Sequence, residues 1–152
     1  HRVDRRQRQM CIRDSPTSMN PRQIELIETS FKAFVPVAYP TAELFYAKLF
    51  QISPHLREMF PKDMREQRVK LVETLTYAVN GLRHPEILLP VVRDLGKRHI
   101  GFKVRPEHYK LVGAALISAM EQGLGPKFTP EIKLAWQACI AFIASEMIAA
   151  AA

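Results

Sequence analysis

Three polar side chains stand on apolar helix faces where a metal or a small molecule could meet them. His99 follows Leu95 by four residues, so its imidazole shares a helix face with an isobutyl group. An imidazole so placed is either a metal ligand or the polar edge of an amphipathic helix. Gln67 and Leu71 have the same spacing, with Lys70 at the edge of that face. A solvated helix boundary produces the same pattern. Tyr46 follows Phe45 within an apolar stretch. A tyrosine buried there needs a partner for its hydroxyl, whether it lines a site or only fills a core. The other histidines, His1, His55, His84 and His108, sit in a basic leader, beside prolines or among charges, and read as solvated.

Other chemistries lack their residues. The chain has no H-E-x-x-H pair, no phosphate-cradling glycine loop and no C-x-x-C. Its serines, histidines and acids form no hydrolase elbow. A conventional hydrolase or nucleotide enzyme is therefore disfavoured. Cys11 falls in the charged leader and Cys139 on a late apolar face, so neither a disulfide nor a zinc site is expected, and Cys139 reads as core filling.

The elements that must position His99, Gln67 and Tyr46 are all helical in pattern. Asn20, Pro21 and Gln23 supply a cap, a first-turn proline and a capping-box partner. Ile24, Ile27, Phe31 and Phe34 then recur at helical spacing. A second helix is expected from about Thr41 to Gln51, burying Leu44, Phe45 and Leu49 or Phe50, and a short piece runs from Ser53-Pro54 to near Phe60. Asp63 and Glu66 suggest another capping box, opening a helix to about Leu82 with Leu71, Leu75 and Ala78 along its stripe. Pro85 and Pro90 are expected to bracket a short interrupted region before the helix of Leu95 and His99, which Gly101 ends. Arg105-Pro106-Glu107 opens a helix through Val112, Leu116 and Met120 that Gly123 and Gly125 close. Thr129-Pro130-Glu131 opens the last, with Ile132, Trp136, Cys139 or Ile140, Ile143 and Met147 on one stripe. Six or seven packed helices and no convincing strand make an all-α domain over residues 19–152.

Residues 1–18 are Arg- and Gln-rich without an apolar face and read as a disordered or non-native leader. Arg2, Arg5, Arg6, Arg8 and Arg13 against Asp4 and Asp14 place +3 of the net +7 there. The remaining charge is too scattered to single out nucleic acid as a partner. The uninterrupted apolar runs fall short of the roughly 18 to 20 residues of a membrane span, so no membrane partner is expected, and a cytoplasmic location is the default.

Five segments, in order, resemble one known family, the single-domain bacterial globins and the globin halves of flavohaemoglobins. Leu44-Phe45-Tyr46-Ala47-Lys48-Leu49-Phe50 resembles the helix that carries the distal tyrosine. Pro54-His55-Leu56-Arg57-Glu58-Met59-Phe60 resembles the segment ending in the phenylalanine that wedges the haem. Gln67-Arg68-Val69-Lys70-Leu71 resembles the distal helix. Leu95-Gly96-Lys97-Arg98-His99 resembles the proximal helix, and Arg105-Pro106-Glu107-His108-Tyr109 the start of the next. The resemblance spans roughly Met19 to Met147.

It implies a globin fold of six to eight helices packed around haem b. His99 would ligate the iron, Tyr46 and Gln67 would face the gas, and Phe60, Leu71, Leu95, Val104, Tyr109 and Val112 would line the cofactor. Lys70 and Arg98 would be candidates to meet its propionates. The implied function is reversible oxygen binding for storage, delivery or scavenging, with high affinity from the tyrosine and glutamine donors and less gain for carbon monoxide. The alternative is nitric-oxide dioxygenation. The segments that carry the resemblance belong to the globin half alone, so a separate reductase is expected to supply the electron. The family's glutamate beside the proximal histidine and tyrosine falls here near Ala151, while Glu146 lies elsewhere on the helix.

Overall fold

The computed structural model describes residues 19–101 and 105–151, and among them every regular element is helical. Six α-helices follow one another: α1 Pro21–Phe34, α2 Ala38–Ile52, α3 Arg65–Gly81, α4 Pro85–Gly101, α5 Pro106–Leu124 and α6 Pro130–Ala151. Short 3-10 turns cover Val35–Val37, Pro54–Met59 and Gly125–Lys127. The leader and Val104 lie outside the described residues.

The α1 start forms as the sequence dictates. Asn20 Oδ1 accepts from Gln23 N at 2.8 Å while Gln23 Oε1 accepts from Asn20 N at 3.1 Å, closing the capping box. Ile24, Ile27, Phe31 and Phe34 are all buried. Phe31 stacks obliquely on Trp136 of α6, whose indole N–H donates to Ser30 Oγ at 2.9 Å. That hydroxyl gives the buried indole its partner and ties the first helix to the last.

Four expectations need correction. Leu44 is exposed while Phe45, Tyr46 and Leu49 are buried, because α2 begins at Ala38 and turns its buried face through Thr41, Ala42, Phe45 and Leu49. The second capping box does not form. Asp63 accepts from Arg65 N at 3.0 Å and chelates the Arg65 guanidinium, while Glu66 reaches Lys70. The salt bridges displace the cap. Pro90 interrupts nothing, since α4 runs unbroken from Pro85. The proline forgoes only one bond, toward the Glu86 carbonyl, and buried Leu88 and Val92 on either side hold the helix on the core. Gly123 sits inside α5 rather than closing it, with Thr41 filling the space a side chain there would need, and Gly125, at φ +57°, makes the stop.

The 22-residue α6 is also long and apolar enough to cross a membrane on length and composition, which the run-by-run reading did not anticipate. Here it is a packing helix. Ala135, Trp136, Cys139, Phe142 and Met147 are buried, and its principal neighbours are α4 and α1. Burial pushes the Cys139 thiol up to about 12, so it stays an inert thiol at neutral pH.

At one point α4 and α6 pack backbone to backbone. A Cβ added at Gly96 would collide with the Met147 backbone, so the two main chains touch there. Gly96→Ala should gain up to about 1 kcal/mol of helix propensity but lose more to overpacking, for a net destabilisation of about 1–2 kcal/mol. Urea unfolding would show this as a lowered midpoint at unchanged slope; a raised midpoint would mean that the helices part at little cost.

Candidate functional site

The proximal side is built by α4. His99 lies half-buried in its last turn, and its Nδ1 is 2.7 Å from the Leu95 carbonyl oxygen. A carbonyl only accepts, so Nδ1 carries the proton and the lone pair resides on Nε2. The Tyr109 ring of α5 lies 6.5 Å away, centroid to centroid, inclined by 33°. Partial burial pushes the Tyr109 phenol above its ordinary value of 10. His108 is not merely a solvated charge-neighbour, as its sequence context suggests. Its Nδ1 accepts from Arg105 N at 3.0 Å and caps the start of α5.

The distal side starts from Tyr46 on α2, which is 6% exposed. Its ring meets Phe45 and Phe60 edge-on, at 4.7 and 5.5 Å, and Phe50, one turn on, at 6.0 Å. Burial raises the phenol pKa above 10, and a smaller opposing effect comes from a hydrogen bond with the Gln67 side chain of α3. Gln67 is half-buried and lines a cleft of about 480 Å³ with Pro61, Asp63, Arg65, Glu66 and Lys70. Its helix thus presents the amide between the Tyr46 hydroxyl and open solvent.

Phe60 is held by a residue that spacing alone did not single out. Arg57 donates to the carbonyls of Phe60, Pro61 and Lys62 at 3.3, 2.8 and 2.9 Å, and its guanidinium lies 5.3 Å from the Phe50 ring centroid. One side chain therefore fastens the loop after the Pro54–Met59 turn and the aromatic cluster around Tyr46. Only the segment resemblance included Arg57, and no periodicity could have found it, because its partners are backbone carbonyls.

The apolar wall residues share one property. Phe60, Leu71, Leu95, Tyr109 and Val112 each pack on the core while staying only partly buried. Large apolar side chains left half-covered along α3, α4 and α5 are what a slot for a flat apolar group requires. Lys70 and Arg98 are exposed and paired with Glu66 at 3.7 Å and Asp94 at 3.2 Å. Exposed pairs of this kind part easily. Glu146, by contrast, is buried and bound to Arg93 of α4.

The globin family model matches residues 43–147. The chain is 31% identical over 137 residues to a flavohemoprotein of Bacillus subtilis, an alignment covering 86% of this chain and 33% of that protein. It spans about a third of the length of the curated flavohemoproteins it matches. Among solved structures it resembles a bacterial globin from Campylobacter jejuni, with a TM-score of 0.78, 24% identity, and coverage of 87% of this chain and 96% of that one. It also resembles a flavohemoglobin from Malassezia yamatoensis with bound FAD and heme, with a TM-score of 0.75, 20% identity, and coverage of 87% and 36%. This chain belongs to the globin family.

The raised Tyr46 pKa has a definite sign. The folded chain favours the protonated phenol, so the stability it contributes is fully present below pH 10 and is lost as pH rises through the higher folded value. A tyrosinate absorbance titration should lose one phenol's absorbance from the part above 10 in Tyr46→Phe, Tyr109 remaining there; loss of a phenol titrating at the ordinary 10 would place the Tyr46 hydroxyl in water.

Proposed function

We propose that the chain binds haem b through His99 and uses it for reversible binding of dioxygen. The observation that carries this reading is the tautomer of His99. The Leu95 carbonyl accepts a hydrogen bond from Nδ1–H and orients the ring, which puts the electron pair a metal needs on Nε2. Phe60, Leu71, Leu95 and Val112 would cover the apolar faces of the group, with Tyr109 beside the proximal imidazole. Lys70 and Arg98 would exchange their exposed partners for its carboxylates. Once bound, haem supplies a ferrous iron with a position open to a diatomic gas.

The chain's own contribution is to sort those gases by polarity. Tyr46, dry and enclosed by three aromatic rings, offers a hydroxyl donor that water does not compete for. Gln67 offers an amide beside it. Each such hydrogen bond contributes about 0.5–1.5 kcal/mol, or up to roughly 3 kcal/mol toward a charged acceptor, and 1.4 kcal/mol is tenfold in affinity. Dioxygen gains most from these donors and carbon monoxide least. The reading is therefore a high-affinity oxygen binder suited to storage, delivery or scavenging.

The match to flavohemoproteins favours a second reading, nitric-oxide dioxygenation. There, nitric oxide and dioxygen combine to nitrate with one electron from a reductase, and Tyr46 and Gln67 would hold the gas in place. Nitrate formation by the protein with a reductase and nicotinamide separates this enzyme from a simple carrier.

Absorption spectra of the haem-reconstituted protein, reduced and then exposed to oxygen and carbon monoxide, test the main reading. A stable oxygen spectrum absent from His99→Ala is expected, and uptake unaffected by that substitution would move the ligand elsewhere. Stopped-flow oxygen release from Tyr46→Phe should be about tenfold faster or more. An unchanged rate would remove Tyr46 from the gas-binding role.

A further inference from the structure

Glu146 is the one acidic side chain buried among the described residues, at 5% exposure. Its Oε1 receives both Nε and Nη2 of Arg93, each at 3.0 Å, across 53 residues of chain. The ion pair within α4, Asp94 with Arg98, is exposed on both partners. Arg93 keeps about half of its side chain in water, at 51% exposure, but a carboxylate withdrawn from water depends on its partner staying in place, so this pair is directional where the one exposed on both sides is not.

The pair also has a neighbour that fixes geometry. Gly96 lies three residues after Arg93 on α4, and Met147 directly follows Glu146 on α6; the two backbones touch there. Two adjacent contacts, one steric and one ionic, leave α4 little freedom to slide along α6 or roll on it. His99 comes three residues after Gly96, about 4.5 Å further along the same helix, and its ring is tied to that helix through Leu95. The imidazole therefore goes where the helix goes.

We infer that Arg93 and Glu146 are a positioning pair for the proximal helix, fixing α4 on α6 and so the place and tilt of the His99 imidazole. The inference rests on the reading of His99 as the haem ligand. Neither residue touches the cofactor in this scheme, and the pair acts only through α4.

The test uses haem-reconstituted full chains of Glu146→Gln, the Arg93→Leu/Glu146→Leu double variant and the charge-swapped Arg93→Glu/Glu146→Arg. Resonance Raman of the ferrous, gas-free protein reads the iron–imidazole stretch, and transfer to an apo-globin acceptor reads haem loss. The paired leucines keep an apolar contact in place of the ion pair, so this variant decides the matter if Glu146→Gln does not fold. We expect a shifted, broadened iron–imidazole band and haem loss about tenfold faster in both, with the charge swap restoring the wild-type band. Wild-type bands and haem loss in the folded variants would overturn the positioning role while leaving His99 as ligand. A wild-type protein without an iron–imidazole band would overturn both.

Discussion

The α4 and α6 backbones meet at Gly96 and Met147 with no room for a side chain between them, and the position of α4 and of everything it carries depends on that contact. Residues 93 to 99 span less than two turns, a length over which an α-helix is stiff. Fixing α4 at Gly96 therefore fixes His99, and with it the height at which a flat group could sit between α4 and α3. The Leu95 carbonyl then sets the remaining freedom, the rotation of the ring, by accepting the Nδ1–H hydrogen bond. A backbone acceptor suits this task because it moves only with the helix itself.

The opposite wall is held by different physics. On the proximal side, position comes from helix-on-helix contact and hydrogen bonds of known direction. On the distal side, Tyr46 is placed by a cluster of rings, Phe45, Phe50 and Phe60, whose mutual angles follow from their quadrupoles and from close packing. Phe60 lies outside regular helix, so this cluster would be loose without Arg57, whose guanidinium gathers three carbonyls and covers Phe50. Burial among rings keeps the Tyr46 phenol protonated and therefore able to donate. The electrostatic and steric properties of the distal wall share one cause.

The connection between these walls and the core explains why wall residues are only partly buried. Leu71, Leu95, Tyr109 and Val112 each place one side against the hydrophobic core and leave another uncovered. Covering those surfaces with an apolar group recovers the hydrophobic contribution that folding of the polypeptide leaves unused. Ligand binding and completion of the core are then the same event. The globin family membership and the half-finished interior are consistent on this point.

Much of the local structure was legible in the sequence. The Asn20 capping box, the Ile24 to Phe34 stripe, the proline-marked starts at Pro106 and Pro130 and the all-helical class follow from propensity and spacing, which act within one turn. The candidate residues His99, Tyr46 and Gln67 were legible as polar groups on apolar faces, but their pattern was equally that of ordinary amphipathic helices until the five ordered segments were taken together. The Asp63 cap failed because Arg65 competed for the same carboxylate, and Pro90 misled because tertiary burial of Leu88 and Val92 outweighs one missing hydrogen bond. Arg57's carbonyl partners, the Arg93–Glu146 pair and the glycine contact at Met147 had no local signal. Each joins atoms that are not periodic in sequence, and the last two join residues about fifty apart. The sequence by itself determined which segments are helical and which side chains could meet a haem and a gas. Tertiary structure decided the register of α4 on α6, and with it where His99 stands, and the burial of Tyr46, because these depend on long-range contacts that form only when the helices pack.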